Sequence, residues 1–135
     1  MTSFEYPVTI LEKHLDTFGH VNNAIYLSLY EEARWDFITK GGFGLNEIQE
    51  KKIGPVVLEL NIKFTSELKN REDIIIKSKN LGMKNSLVMD MEQSMIKADG
   101  TVASTMIISF GLFDLKKRKL IPPTSEWKRA IGEES

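Results

Sequence analysis

The alternation of apolar and polar positions sets out the elements of this chain. Phe4, Tyr6, Val8 and Ile10 alternate with Glu5, Pro7, Thr9 and Leu11, the period of a half-buried strand. Pro7 has no amide hydrogen to give to a ladder, so it points to an edge strand or a strand start. From about Ala24 to Lys40 the period becomes helical. Tyr26, Tyr30, Ala33 and Phe37 form one stripe, with Leu27 and Ile38 beside it. Asn22 or Asn23 can cap the start of this helix and Gly41-Gly42 can end it. At helical rise it is a rod of about 25 Å.

A connector follows, with a short helix over residues 45–52. Then Val56, Leu58, Leu60, Ile62 and Phe64 alternate with Glu59, Asn61, Lys63 and Thr65, the clearest half-buried strand in the chain. Residues 72–83, 86–97 and 101–115 read as three more strands. The joins are tight: residues 82–86 form one hairpin turn, and Asp99-Gly100 is a pair favoured by type I′ turns. Residues 121–135 read as a proline break, a helical turn and a frayed tail.

Tight joins imply antiparallel neighbours, which excludes a parallel nucleotide-binding sheet. The helix must bury its stripe, and the apolar face of the sheet is the available surface. The class is therefore α+β: a five-stranded antiparallel sheet around one long helix. Strands of ten to twelve residues span about 33 to 40 Å and can curl around that helix. With 135 residues and no linker, residues 1–135 form a single domain. Open sheet edges invite pairing, so a homodimer at least is expected.

Composition narrows the chemistry. A formal net charge of -1 supplies no field to draw the chain to nucleic acid or to an anionic membrane. The absence of cysteine excludes disulfides, zinc-thiolate sites and thiol nucleophiles. The N-terminus lacks the order of a signal peptide, and no apolar run reaches membrane-spanning length. A cytoplasmic location is the resulting expectation.

The chemistry-bearing residues crowd into one segment, "HLDTFGHVNNAIYL", residues 14–27, which holds both histidines of the chain. His14, Asp16 and His20 have the residue types of a two-histidine, one-carboxylate metal site, but no other histidine or cysteine exists to complete it. A second reading takes Asp16 as a base or nucleophile at a strand exit just before a helix start. Free backbone N–H groups there would stabilise a developing oxyanion, and Gly19 permits a close turn. The third reading is a tied loop with helix caps and no chemistry. No cofactor is implied.

The run Asp16-Thr17-Phe18-Gly19-His20-Val21-Asn22-Asn23, then Tyr26 and Glu31-Glu32-Ala33-Arg34, resembles the hotdog-fold thioesterases of the 4-hydroxybenzoyl-CoA thioesterase type. The resemblance extends over about residues 4–115. It implies a curved sheet wrapping a central helix, homodimers or homotetramers built edge to edge, and an acyl-CoA substrate. Acyl carrier protein as the carrier, or a non-catalytic acyl-CoA-binding module, are the alternatives. It implies Asp16 as the catalytic aspartate, nucleophile or general base, the Asn23 amide as the oxyanion donor, and Gly19 and His20 in the same loop. Asn22 and Tyr26 fall beside the substrate, and Lys84 falls near positions that meet coenzyme A phosphates. Fatty or other short-to-medium acyl groups are expected, because the candidate lining is aliphatic and rich in methionine.

Overall fold

The structure, a computed structural model, describes residues 3–133. Six strands form one antiparallel sheet: β1 (Ser3–Thr9), β2 (Ile53–Phe64), β3 (Asp73–Met83), β4 (Val88–Lys97), β5 (Val102–Asp114) and β6 (Lys119–Ile121). The five long strands lie in the order β1-β3-β4-β5-β2, and β6 adds to β5. Three helices accompany them: α1 (Asn23–Lys40), α2 (Leu45–Lys51) and α3 (Ser125–Ala130). The sheet thus has one short strand beyond the five expected. The basic run Lys116–Lys119 makes the β5–β6 hairpin, where the Asp114 carboxylate accepts the Lys116 and Lys117 amides and Arg118 takes a positive φ.

β3 and β4 alternate as their sequences do, with Ile74, Ile76, Ser78 and Asn80 of β3 and Met89, Met91, Gln93 and Met95 of β4 buried under α1. β1 lies at one edge, where Pro7 is tolerated. α1 lays Tyr26, Leu29, Tyr30, Ala33, Phe37 and Ile38 on the sheet, and Phe37 stacks on Phe4 at 4.3 Å. Its C-terminus is a Schellman motif. Phe43 N–H donates to Ile38 C=O, Gly42 N–H donates to Thr39 C=O, and Gly42 supplies the left-handed residue.

Three expectations need correction. The strict alternation read over residues 56–64 is broken by a bulge between Val57 and Glu59. Val57 opposite Phe110, and Leu60, Ile62 and Phe64 opposite Ile108, Met106 and Ser104, face inward, while Val56 falls out of that set. β2 is also an edge, so Val57, Leu58 and Phe64 keep 50%, 47% and 48% of their surface exposed. The Asp99-Gly100 turn is not type I′, because Gly100 takes a positive φ and Asp99 does not. It is a three-residue loop closed by Lys97 N–H to Thr101 C=O, with glycine in the left-handed position. The C-terminal segment does not fray: Trp127, Ala130 and Ile131 are fully buried, and Trp127 meets Phe43 and Phe110 edge-on. Residues 134 and 135, the end of that predicted tail, lie outside the described residues.

A polar seam crosses the core beneath α1. Arg34 Nη1 donates to Gln93 Oε1 at 2.8 Å. Gln93 Nε2 donates to Tyr30 C=O at 3.1 Å and to Ser78 Oγ at 2.9 Å, and the Tyr30 hydroxyl donates to Ser104 Oγ at 2.8 Å. Burial pushes the Tyr30 phenol up to about 12 against the pull of the Ser104 hydrogen bond. Burial also lowers the pKa of the Arg34 guanidinium, which Glu31 opposes.

Candidate active site

Between β1 and α1 the chain makes a small closed loop. Leu15 and Val21 form a β-bridge, and Asp16 N–H donates to His20 C=O at 2.8 Å. Gly19, at φ 79, donates to Asp16 C=O at 3.1 Å. A side chain there would strain that backbone, which is why the turn takes glycine. The Asp16 carboxylate ties the loop from inside: Oδ1 accepts Phe18 N–H at 2.9 Å and His20 N–H at 3.1 Å. Oδ2 accepts no protein donor among the described residues, and Asp16 is exposed. One oxygen thus ties the loop and the other meets no protein donor among the described residues.

The closed loop delivers the chain directly into α1. Asn22 is the N-cap, and its Oδ1 accepts Ala24 N–H at 2.9 Å. Asn22 C=O accepts Ile25 N–H at 2.9 Å and Tyr26 N–H at 3.3 Å. The expectation of several free amides therefore contracts to one. Among the described residues, Asn23 N–H alone of the first-turn amides has no acceptor. It carries the positive end of the helix dipole and is aimed outward at the tip.

The other candidates separate. His20 Nε2 sits 3.0 Å from Glu67 Oε1, both side chains exposed. Glu67 belongs to the β2–β3 loop, and its backbone C=O accepts Lys97 Nζ at 2.5 Å. No local motif could have revealed Glu67, because the contact exists only once β2 has returned to the loop. His14 is buried beside its own 3-10 turn, with Nδ1 accepting Leu11 N–H at 2.9 Å. It does not converge with Asp16 and His20, and among the described residues no group of three potential ligands could hold a metal ion. Tyr26 is a core residue, edge-on to Phe64 at 4.8 Å. Lys84 is exposed in the β3–β4 turn, at the far end of β3. The Asp16 loop is near the opposite end, where Ile10 pairs with Glu72 and Arg71. Eleven residues of strand put roughly 33 Å between the two ends, so one copy of the chain does not join Lys84 to the loop.

An apolar recess begins one turn along α1. A groove of about 250 Å³ lies between Leu27, Ser28, Arg34 and the β2 residues Val57 and Leu60. It shares Glu31, Arg34 and Val57 with a more enclosed cavity of about 80 Å³ that reaches Trp127 and Ile131.

A family model described as "Thioesterase-like superfamily" matches residues 10–131, which include the loop, the helix and every strand but β1. The chain belongs to the thioesterase-like superfamily. It is a hotdog-fold thioesterase, and the wrapped helix and antiparallel sheet are that fold. The Escherichia coli protein FadM, named a long-chain acyl-CoA thioesterase, is 27% identical over 120 residues, 89% of this chain and 90% of that relative. The crystal structure of YbaW, a probable thioesterase from Escherichia coli, superposes with a TM-score of 0.83 at 27% identity, covering 96% of both chains. A Staphylococcus aureus protein solved in complex with CoA superposes with a TM-score of 0.88 at 18% identity, covering 96% of this chain and 82% of that one. Among the described residues of this thioesterase no helix is long and apolar enough to cross a membrane.

Proposed function

We propose that this thioesterase hydrolyses fatty acyl-CoA thioesters, with Asp16 as nucleophile or general base and Asn23 N–H as oxyanion donor. One observation carries the reading: the unpaired amide at the tip of α1 sits directly after a loop that holds a carboxylate with one unengaged oxygen. In the base route, Asp16 takes a proton from water as the water oxygen bonds to the carbonyl carbon. The carbonyl oxygen becomes an oxyanion against Asn23 N–H, the C–S bond breaks, and the thiolate leaves with that proton. In the nucleophile route, Asp16 itself displaces the thiolate, and water then cleaves the mixed anhydride. Thiolate is a good leaving group, so neither route calls for a metal. His20, held by Glu67, and Gly19 shape the loop, and Asn22 fixes the direction of the helix tip.

FadM's activity and the CoA bound to the Staphylococcus aureus neighbour favour coenzyme A over a carrier protein. Incubating the protein with matched acyl-CoA and acyl-carrier-protein substrates under a thiol-trapping dye tests this. Free thiol should appear with acyl-CoA, and faster than with the carrier protein. Tight acyl-CoA binding without thiol release would instead mark a non-catalytic module.

The working unit in this reading is at least a dimer joined along β2. That strand leaves its outer ladder groups open beside exposed Val57, Leu58 and Phe64. An antiparallel two-fold pairing there reverses the second copy, whose Lys84 turn then comes to the end that carries Asp16. This is how the expected phosphate contact would be made. Sedimentation should give a mass of two chains or a multiple of it, and Leu58→Glu should shift it towards one chain.

A further inference from the structure

The recess along α1 has a direction. Its groove starts at Leu27, four residues into the helix and so about 6 Å from Asn23. It follows β2 backwards from Leu60 to Val57, then Val56 and Pro55, away from the Asp16 end of the sheet. It stops where α3 docks on the end of α1. That docking is close: a Cβ placed on Gly41 would lie 2.7 Å from the Ala130 Cα. The floor is Trp127, fully buried and braced edge-on by Phe43 and Phe110. Ile38, Met91, Ile108 and Ile131 make the walls just above it.

We propose that the acyl chain of the substrate runs along this α1–β2 groove from the helix tip towards α3, and that Trp127 closes its far end and sets the longest chain accepted. This rests on the thioesterase reading above. Such a channel suits an unbranched aliphatic tail because most of its lining is aliphatic or aromatic and its groove and cavity meet at Glu31, Arg34 and Val57. Its polar intrusions are Ser28 near the start and Glu31 and Arg34 at the middle, and Arg34 is held to Gln93. From Asn23 to Ile38, helical rise gives about 22 Å. An extended chain advances about 1.2 Å per bond, by analogy with the peptide backbone. That length corresponds to about eighteen bonds of extended chain, the fatty end of the acyl groups expected from the lining residues.

The test is the chain-length profile of kcat/KM over saturated acyl-CoAs of graded length, for wild type, Trp127→Ala and Val57→Phe. A single methylene in an apolar pocket discriminates by roughly ten- to two-hundredfold. Trp127→Ala should move the cut-off to longer chains, raising the ratio of the longest substrate to the wild-type optimum at least tenfold. Val57 lies at the junction of groove and cavity and on the β2 edge proposed to pair in the dimer, so Val57→Phe, once sedimentation shows that it keeps the wild-type mass, should move the cut-off the other way. If Trp127→Ala does not fold, the Val57→Phe profile decides alone. A folded Trp127→Ala with the wild-type profile, or a Val57→Phe that slows every length equally, overturns the channel. Wild type that hydrolyses no acyl-CoA of any length overturns the thioesterase reading on which the channel depends.

Discussion

Asp16→Asn should lower kcat for acyl-CoA hydrolysis by roughly a hundred- to ten-thousandfold, the range for loss of a positioned proton-transfer group, and leave the fold intact. The choice of asparagine follows from the loop. Its amide oxygen can still accept Phe18 N–H and His20 N–H, as Asp16 Oδ1 does at 2.9 and 3.1 Å. What disappears is the second carboxylate oxygen, which no protein donor engages among the described residues. Asp16→Ala removes both functions and should also loosen the loop, so it is the less informative variant. KM should change little in Asp16→Asn, because the lost interaction belongs to the transition state. Steady-state thiol release, with circular dichroism as the control for folding, measures both. A folded Asp16→Asn enzyme with wild-type kcat would confine Asp16 to holding the loop.

A large loss of stability is expected from Gln93→Met. This nearly isosteric change removes three hydrogen bonds from the interior at once: from Arg34 at 2.8 Å, to Tyr30 C=O at 3.1 Å and to Ser78 Oγ at 2.9 Å. Arg34 then keeps its charge against the core without that acceptor, and a buried carbonyl loses its donor. Stranding such groups costs about 3 kcal/mol. For a domain of this size that is a fall in Tm of about 10 °C. Gln93→Glu should lie between, because it keeps an acceptor for Arg34 and loses the donor to Tyr30 and Ser78. Urea unfolding at fixed protomer concentration measures the series. A Gln93→Met loss under about 0.5 kcal/mol, the scale of an ordinary surface change, would show that solvent reaches the seam and satisfies it.

These two residues differ in how visible they are in the sequence. Asp16, Gly19 and Asn22 signal themselves, because a left-handed glycine and an N-cap asparagine are local requirements of the backbone. Gln93 does not, since its position in β4 shows only that it faces inward with Met91 and Met95. Its partners on α1 and β3 are set by packing. The same division runs through the fold. Strict alternation in β3 and β4, and the 3.6-residue stripe of α1, are local and could be read directly. The bulge at Val57 and Glu59 could not, because a bulge is a mismatch between two strands and only one of them is in view. The packing of the C-terminal segment is hidden in the sequence for a related reason. Six residues are too few to show a period, and the burial of Trp127 depends on a gap left by Gly41 at the end of another helix. Likewise, the distance of Lys84 from Asp16 emerges only when the direction of β3 is known.

Catalysis by this loop requires the thioester carbonyl to lie between the Asn23 amide and the side chain at position 16. A crystal structure of Asp16→Asn holding an intact acyl-CoA tests it most directly. The carbonyl oxygen should lie within hydrogen-bonding distance of Asn23 N–H, with the position-16 side chain about 3 to 3.5 Å from the carbonyl carbon or from a water poised on it. A carbonyl bound elsewhere, with Asn23 N–H facing solvent, would contradict it.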